Sequence, residues 1–242
     1  MKTLLNRIKD FAESATGLTI FRQRPRGLDV FADIQRDLPK HSMKVLFDVG
    51  ANIGQTVDKF RQAFPDSEIY SFEPVSSSFE KLVSSFGDID GVTCVKAAIG
   101  DSNCYVKVTA EGCATSNRIV DSDEIVARFE TVQQFTLDDY CNENDIQTIN
   151  YLKIDAEGAD LAVLNGASAL LSRGRVDFVE AECGMNIANQ THSYFLEIVA
   201  FMATHGYHIF SIYEQVGEHI RNKPLLRRAN IVFVASHLIV ET

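Results

Sequence analysis

The chain has 242 residues, of which 45% are hydrophobic and 23% charged, and its formal net charge is −10. This composition is typical of one globular domain with a sizeable core, and it excludes a disordered or fibrous chain. The negative balance argues against nucleic acid as the main partner, because neutralising phosphates needs clustered Lys and Arg. Basic residues are dense in two short stretches only, which contain Arg22, Arg24 and Arg26, and then Arg221, Lys223, Arg227 and Arg228.

The five cysteines have neither a CxxC pair nor a zinc-ligand spacing, which predicts reduced thiols in a cytoplasmic protein. No apolar run reaches the roughly 20 residues that cross a bilayer, so we expect no membrane span. The first residues carry charges where a signal peptide needs an apolar block. Leu4, Ile8, Phe11 and Ala15 have helical spacing instead, which favours a helix docked on the domain over one lying on a membrane surface.

After this helix, short β-rich runs alternate with amphipathic helical patterns, which is typical of a parallel sheet covered by helices on both faces. Strands are predicted at residues 44–49, 68–72, 92–99, 150–154, 175–180, 207–213 and 230–236. Helices are predicted at residues 57–64, 79–86, from 136 onward, 161–171 and 195–206. The last two strands suit a hairpin, and residues 104–135 suit an antiparallel excursion. We therefore expect a three-layer α/β sandwich over residues 41–242, preceded by a helical N-terminal extension at 1–40.

The segment FDVGANIG, residues 47–54, lies where the first predicted strand gives way to a helix. Its glycines permit tight backbone geometry and close approach of a ligand, and the N–H groups at the helix start suit a carboxylate. Glu73 closes the second strand, 19 residues beyond Gly54. A carboxylate at that position can accept hydrogen bonds from both ribose hydroxyls of an adenosine ligand. The two features together predict a site for such a ligand.

The sequence of the same loop distinguishes between two candidate adenosine ligands, NAD and S-adenosylmethionine (SAM). Asn52 stands where the second glycine of a Gly-x-Gly would be, so the three-glycine pattern of dinucleotide sites is missing. A pyrophosphate needs that backbone access, whereas SAM has no pyrophosphate. Asp48 also suits a ligand with a cationic amino-acid portion. SAM is favoured, and an NAD-dependent oxidoreductase or a non-catalytic SAM- or nucleotide-binding protein are the alternatives.

Four segments, DVGANIG, FEP, AAIGD and YLKIDAEGADLAVLNGA, together resemble the FkbM family of SAM-dependent methyltransferases over roughly residues 45–182. The resemblance implies a seven-stranded, mostly parallel sheet with a reversed last strand. It implies SAM as methyl donor, S-adenosylhomocysteine (SAH) as product, and a hydroxyl of a sugar, polyketide or other small natural product as acceptor. It does not require a metal, and none is expected, although clustered carboxylates suit Mg²⁺. A homodimer is left open.

The resemblance also implies which residues bind SAM. The methionine portion would be held by Asp48, Gly50, Asn52 and Gly54. Glu73 would take the ribose, and Pro74 would shape the turn after it. The adenine would be bordered by Ala98, Ile99 and Asp101, and Asp155 would lie beside the methyl donor.

Methyl transfer to a hydroxyl also needs a group that takes the hydroxyl proton. By the resemblance Glu157 and Glu182 face the acceptor, so the candidate bases are Asp155, Glu157 and Glu182, with His192 as a weaker candidate. Ser116 and Asn117 would close over the site, and Lys153 would flank the sheet edge or pair with a nearby acid. No Asn/Asp-Pro-Pro-aromatic motif, which is typical of amino methylation in this fold, follows the fourth strand, and this favours oxygen as the methylated atom.

Overall fold

A seven-stranded sheet forms the centre of the protein in a computed structural model, which describes residues 4–19, 21, 24–110, 118–120, 128–189, 191–218 and 224–239. Its strand order is β10-β11-β9-β8-β1-β2-β3. The strands are β1 (Val45–Val49), β2 (Glu68–Phe72), β3 (Val92–Val95), β8 (Ile149–Ile154), β9 (Val176–Gly184), β10 (Tyr207–Gly217) and β11 (Leu226–Ala235). A second sheet, of order β4-β7-β5-β6, consists of β4 (Ala98–Ile99), β5 (Cys104–Thr109), β6 (Ile119–Val120) and β7 (Phe129–Phe135).

Helices cover both faces of the large sheet, so the predicted three-layer α/β sandwich is confirmed. One apolar core contains side chains of α2 (Val30–Asp37), α3 (Gln55–Ala63) and α4 (Ser76–Phe86). The other contains side chains of α5 (Leu137–Glu143), α6 (Asp160–Asn165), α7 (Ser168–Ser172) and α8 (Phe195–Thr204). All nine residues of β9 are buried, as expected for a central strand covered on both faces.

The parallel register brings the carboxyl ends of the central strands to one edge. Val49 pairs with Phe72 on one side and with Ile154 on the other, so β1, β2 and β8 end together. The loops that follow these strands therefore meet above the sheet, which is where open α/β sheets bind ligands.

The C-terminal strands form the predicted hairpin, and the reversed last strand is confirmed. β11 runs antiparallel to both β9 and β10 and lies between them. Both strands are longer than predicted, and so is β9, which continues from residue 180 to Gly184. Glu182 is consequently inside a strand rather than beyond its end.

Two predicted elements are divided. The predicted strand 92–99 is β3 in the large sheet and β4 in the small one, because the Ala97 N–H bonds the Val95 carbonyl at 3.1 Å and turns the chain. The predicted helix 161–171 breaks at Gly166, where an added Cβ would lie 1.9 Å from the Gly100 carbonyl oxygen. The excursion at 104–135 is antiparallel as predicted over its described residues.

The N-terminal residues include two helices of different character. The predicted helix is present as α1 (Leu4–Thr16), but Ile8 and Phe11 are 56% and 76% exposed, so these side chains are not docked as expected. In α2, Ile34 is buried in the core and Asp33 accepts a hydrogen bond from the Tyr213 hydroxyl at 3.0 Å. The domain boundary at residue 40 stays a prediction. No helix in the described ranges is long and apolar enough to cross a membrane.

Candidate active site

A cavity of about 550 Å³ lies above the carboxyl ends of β1, β2, β8 and β9. Nine of the residues predicted to form the site line it, namely Gly50, Asn52, Glu73, Pro74, Ala98, Ile99, Asp155, Glu157 and Glu182. His192 lines it as well. Asp48, Gly54 and Asp101 do not line it. These nine residues and His192 come from six separate stretches of the chain.

The two glycines of the first loop have different surroundings. Gly50 has φ +83°, and an added Cβ would lie 2.0 Å from the Asp155 carbonyl oxygen, so any side chain here would collide with the loop after β8. Gly54 has φ +96° at the N-terminal cap of α3, where an added Cβ would meet the Phe86 ring at 2.3 Å. Gly54 thus allows α3 and α4 to pack closely, whereas Gly50 shapes the cavity floor.

Asn52 and Glu73 connect the first loop to the end of β2 at the cavity wall. Asn52 has φ +51°, and its N–H donates to Glu73 Oε2 at 2.9 Å. The Val75 N–H donates to Glu73 Oε1 at 2.8 Å. Burial raises the pKa of Glu73, and these two backbone hydrogen bonds oppose the rise. The carboxylate is held rigidly at the strand end and keeps further lone pairs that can accept from a ligand.

Asp48 lies fully buried beneath the first loop. Neither of its carboxylate oxygens has a hydrogen-bond partner among the described residues. Burial raises the pKa of Asp48 to about 7, while the positive charge of Lys153, its neighbour in the sheet register, opposes the rise. An orphaned buried carboxylate is costly and suits a site that receives a cationic group.

Lys153 donates to Asp155 Oδ2 at 2.9 Å. Burial alone would lower the pKa of Lys153, but the negative charges of Asp155, Asp48 and Glu180 together raise it above its ordinary value. Lys153 therefore pairs with a nearby acid, which is one of the two alternatives predicted for it. The other alternative was a place at the sheet edge, but Lys153 lies on the central strand β8. Asp155 is thus already paired.

Glu182 is held between Arg228 and His192. Arg228 donates to its Oε1, and His192 Nε2 lies 2.9 Å from its Oε2. His192 Nδ1 faces the Thr191 hydroxyl at 2.7 Å and Asn189 Oδ1 at 3.2 Å. Both ring nitrogens of His192 and both oxygens of Glu182 are thus engaged within the protein.

Glu157 is the acid of this cavity that the described residues leave without a hydrogen-bond or ion-pair partner. Its backbone has φ +46°, an uncommon conformation for a residue with a side chain, and Gly158 follows with φ +95°. Burial raises the pKa of Glu157 to about 7, the negative charges of Asp155 and Glu182 add to the rise, and His192 opposes it. Such a carboxyl changes protonation state near neutral pH.

Four cavity residues belong to the small sheet, namely Ala98, Ile99, Val108 and Ile119, and Arg118 directly precedes β6. Ser116 and Asn117, predicted to close over the site, lie outside the described residues.

Sequence reasoning found Arg227 and Arg228 only as basic residues and did not find Asp160 at all. Asp160 is 1% exposed at the start of α6, and one of its oxygens has no partner among the described residues. Burial raises its pKa to about 7, and the charge of Asp155 adds to the rise. The available signal was its position at the end of the motif AEGAD, two residues after Gly158. Within the described ranges no group of three or more His, Cys, Asp or Glu is arranged to hold a metal ion.

A seven-stranded sheet with one reversed strand, a glycine loop after β1 and an acid at the end of β2 defines the class of SAM-dependent methyltransferases. The match of the Methyltransferase FkbM domain family covers residues 48–209, and the chain belongs to this family. Methyltransferase, rather than NAD-dependent oxidoreductase, is therefore the favoured class of enzyme.

Known relatives are distant. The 2-O-methyltransferase NoeI of Sinorhizobium fredii (strain NBRC 101917 / NGR234) is 24% identical over 193 residues, which cover 74% of this chain and 76% of NoeI. Methyltransferase 1 of Beauveria bassiana (strain ARSEF 2860) is 26% identical over 160 residues, covering 57% of this chain and 64% of that protein. A solved structure of Aeropyrum pernix fibrillarin with SAM bound has a TM-score of 0.44 at 11% identity, covering 81% of this chain and 67% of that one.

Proposed function

We propose that the protein transfers the methyl group of SAM to a hydroxyl oxygen of a small molecule or sugar, with Glu157 as the base. The observation that carries this proposal is the unpaired Glu157 carboxylate in the same cavity as the Glu73 loop. The name of the relative NoeI, a 2-O-methyltransferase, supports oxygen as the methylated atom. We also propose that nucleic acid is not a partner, which the net charge of −10 supports.

The residues present fit SAM. Glu73 can accept from the ribose hydroxyls, and the cradle at Gly50 admits no side chain, which leaves backbone groups facing the cavity. Asp48, buried and unpartnered, supplies negative charge beneath that loop. Ala98 and Ile99 offer an apolar wall for the adenine.

When bound, SAM supplies an electrophilic methyl group, whose bond to sulfur breaks as its bond to the acceptor oxygen forms, leaving SAH. Glu157 takes the proton of the acceptor hydroxyl, so the oxygen keeps the electron pair that forms the new bond. A positioned base of this kind contributes roughly 10²–10⁴-fold, and alignment in a water-poor cavity contributes much of the rest.

Asp155 and Glu182 suit positioning better than proton transfer. Asp155 is paired with Lys153, and Glu182 is paired with Arg228 and His192, so both carboxylates already have partners within the protein, whereas Glu157 has none among the described residues. Their negative charge also raises the pKa of Glu157. Of the three candidate bases, Glu157 is the one that these contacts favour.

The cofactor half of the proposal is tested by calorimetry with SAM, SAH and NAD on wild-type protein, Glu73→Ala and Glu73→Gln. We expect SAM and SAH to bind and NAD to give no heat. Loss of a charged hydrogen-bond acceptor should weaken binding by roughly tenfold or more in Glu73→Ala, with Glu73→Gln in between. An intact fold that binds no SAM at millimolar concentration would refute the proposal, and tight SAM binding without methylation of any hydroxylated acceptor would favour a non-catalytic SAM-binding protein.

A further inference from the structure

We propose that the methyl acceptor carries an oxyanion (a carboxylate, sulfate or phosphate group) that the guanidinium of Arg227 binds. This inference rests on the proposed function, because it assigns the acceptor half of the same cavity. It concerns the chemical class of the acceptor, which neither the family nor the relatives specify.

The positively charged side chains of the cavity wall nearly all have a partner within the protein. Lys153 pairs with Asp155 at 2.9 Å, Lys59 with Glu214 at 3.4 Å, and Arg228 with Glu182. Arg118 donates to the Ile119 carbonyl at 3.4 Å and has a further contact. Arg227 is the remaining Lys or Arg of the wall, and its side chain makes no hydrogen bond or ion pair with a described residue.

The backbone of Arg227, in contrast, is fixed. Its carbonyl oxygen accepts from the Met185 N–H at 2.9 Å and from Asn189 Nδ2 at 3.2 Å. These contacts tie the start of β11 to the loop that also carries Thr191 and His192 of the cavity wall. The backbone that carries the guanidinium is thus held in place at the cavity wall.

Arg227 lies at the acceptor end of the cavity. Glu73 follows β2, and β11 is separated from β2 by β9, β8 and β1. Four strand spacings are roughly 19 Å, so Arg227 is far from the ribose side. Its neighbour Arg228 contacts Glu182, which lies beside Glu157.

The two basic stretches of the sequence differ in how their arginine side chains are paired. In the first, Arg24 pairs with Asp29 and Arg26 with Asp37. In the second, Arg228 is paired with Glu182, whereas the Arg227 side chain has no partner among the described residues. Arg227 therefore offers an unpaired positive charge at the cavity wall, which attracts anions.

A guanidinium recognises carboxylate and phosphate groups by two parallel hydrogen bonds, which gives orientation as well as affinity. An acceptor bound in this way at one end of the cavity would have a fixed orientation, with a hydroxyl directed toward Glu157. The acceptor class that fits is a hydroxylated molecule with one oxyanion, such as a uronic acid or a sugar sulfate or phosphate.

The experiment compares methyl glucuronoside, glucose 6-sulfate and glucose 6-phosphate with uncharged methyl glucoside. Binding is measured by saturation-transfer NMR at low ionic strength, with and without SAH, on wild-type protein, Arg227→Gln and Arg227→Lys. Arg173→Gln is the matched control, because it removes the same charge from an exposed position beyond α7, at the opposite end of the sheet.

We expect at least one charged sugar to bind roughly tenfold or more tightly than methyl glucoside. This preference should vanish in Arg227→Gln, survive in part in Arg227→Lys and stay intact in Arg173→Gln. Equal binding of charged and neutral sugars, or a preference that survives Arg227→Gln, overturns the inference. If SAH fails to bind while the Arg227-dependent preference remains, the anion site stands and only the methyltransferase proposal fails.

Discussion

Glu157 and Glu182 line the same cavity, yet they differ in what their carboxylates contact. Glu182 has a partner on each oxygen, Arg228 and His192, whereas Glu157 has none among the described residues. The sequence predicted both acids at the acceptor side and the structure places both in the cavity, but the sequence could not distinguish them. Arg228 lies 46 residues from Glu182 along the chain, and only folding brings the two together. The same contacts turn His192 from a candidate base into a partner of Glu182.

Replacing Glu157 by Gln tests its role as the base. Because the pKa of Glu157 is raised to about 7, the deprotonated, active form accumulates above that pH, and kcat should rise through it in wild type. Glu157→Gln should lower kcat by roughly 10²–10⁴-fold and abolish this pH dependence. SAH affinity should change little. The measurement is methyl transfer from labelled SAM between pH 5.5 and 9.

Glu143→Gln, an exposed substitution with the same change of charge, is the control for that measurement. An unchanged kcat, or a pH profile that persists in Glu157→Gln, would assign the proton to another group, and Asp155 would be the next candidate.

At the scale of elements, the turn after β1 depends on a contact between two loops. Replacing Gly50 by Ala would place a Cβ 2.0 Å from the Asp155 carbonyl oxygen at φ +83°. Gly206→Ala has a similar φ of +79° but no atom closer than 3.7 Å, so it isolates the cost of the backbone conformation. We expect Gly206→Ala to cost about 1 kcal/mol of unfolding free energy.

Gly50→Ala should cost at least about 2 kcal/mol more than Gly206→Ala, because the backbone must move to relieve the collision. It should also weaken SAM binding. Urea denaturation of the two variants provides the comparison, and equal stabilities would show that the loops after β1 and β8 can separate at little cost.

Element boundaries were predictable where a local signal marks them. β2 has the predicted bounds, Glu68–Phe72, and Thr136 caps α5 by accepting from the Asp139 N–H, as its sequence indicated. The division of residues 92–99 between two sheets had no such signal. It depends on β7, about 40 residues later in the chain, which offers β4 a partner.

At the scale of the whole molecule, three buried acids should govern how stability varies with pH. The pKa values of Asp48, Glu157 and Asp160 rise from ordinary values of 3.8, 4.5 and 3.8 to about 7 in the folded chain. In that interval the folded state binds more protons than the unfolded state, so stability falls as pH rises from about 4 to about 7 and then levels off. Ligand-free protein should therefore melt at a lower temperature at pH 8 than at pH 5.

The triple variant Asp48→Asn, Glu157→Gln, Asp160→Asn should flatten that profile. The exposed triple variant Asp66→Asn, Asp88→Asn, Glu143→Gln makes the same change of net charge and should not. Calorimetric melting temperatures across this range provide the test. A melting temperature that rises between pH 5 and pH 7.5 would contradict the assignment of these groups.

The sequence by itself determined the alternation of strands and helices, the glycine loop at residues 47–54 with Glu73 beyond it, and the family, because these are periodic or local patterns. Tertiary structure alone decided which charges in the cavity are neutralised. Arg228 forms an ion pair with Glu182 and His192 contacts it, while the side chains of Glu157 and Arg227 have no hydrogen-bond or ion-pair partner among the described residues. The physical reason is that burial and charge pairing depend on distances through space, and those are set by strand order rather than by position in the chain.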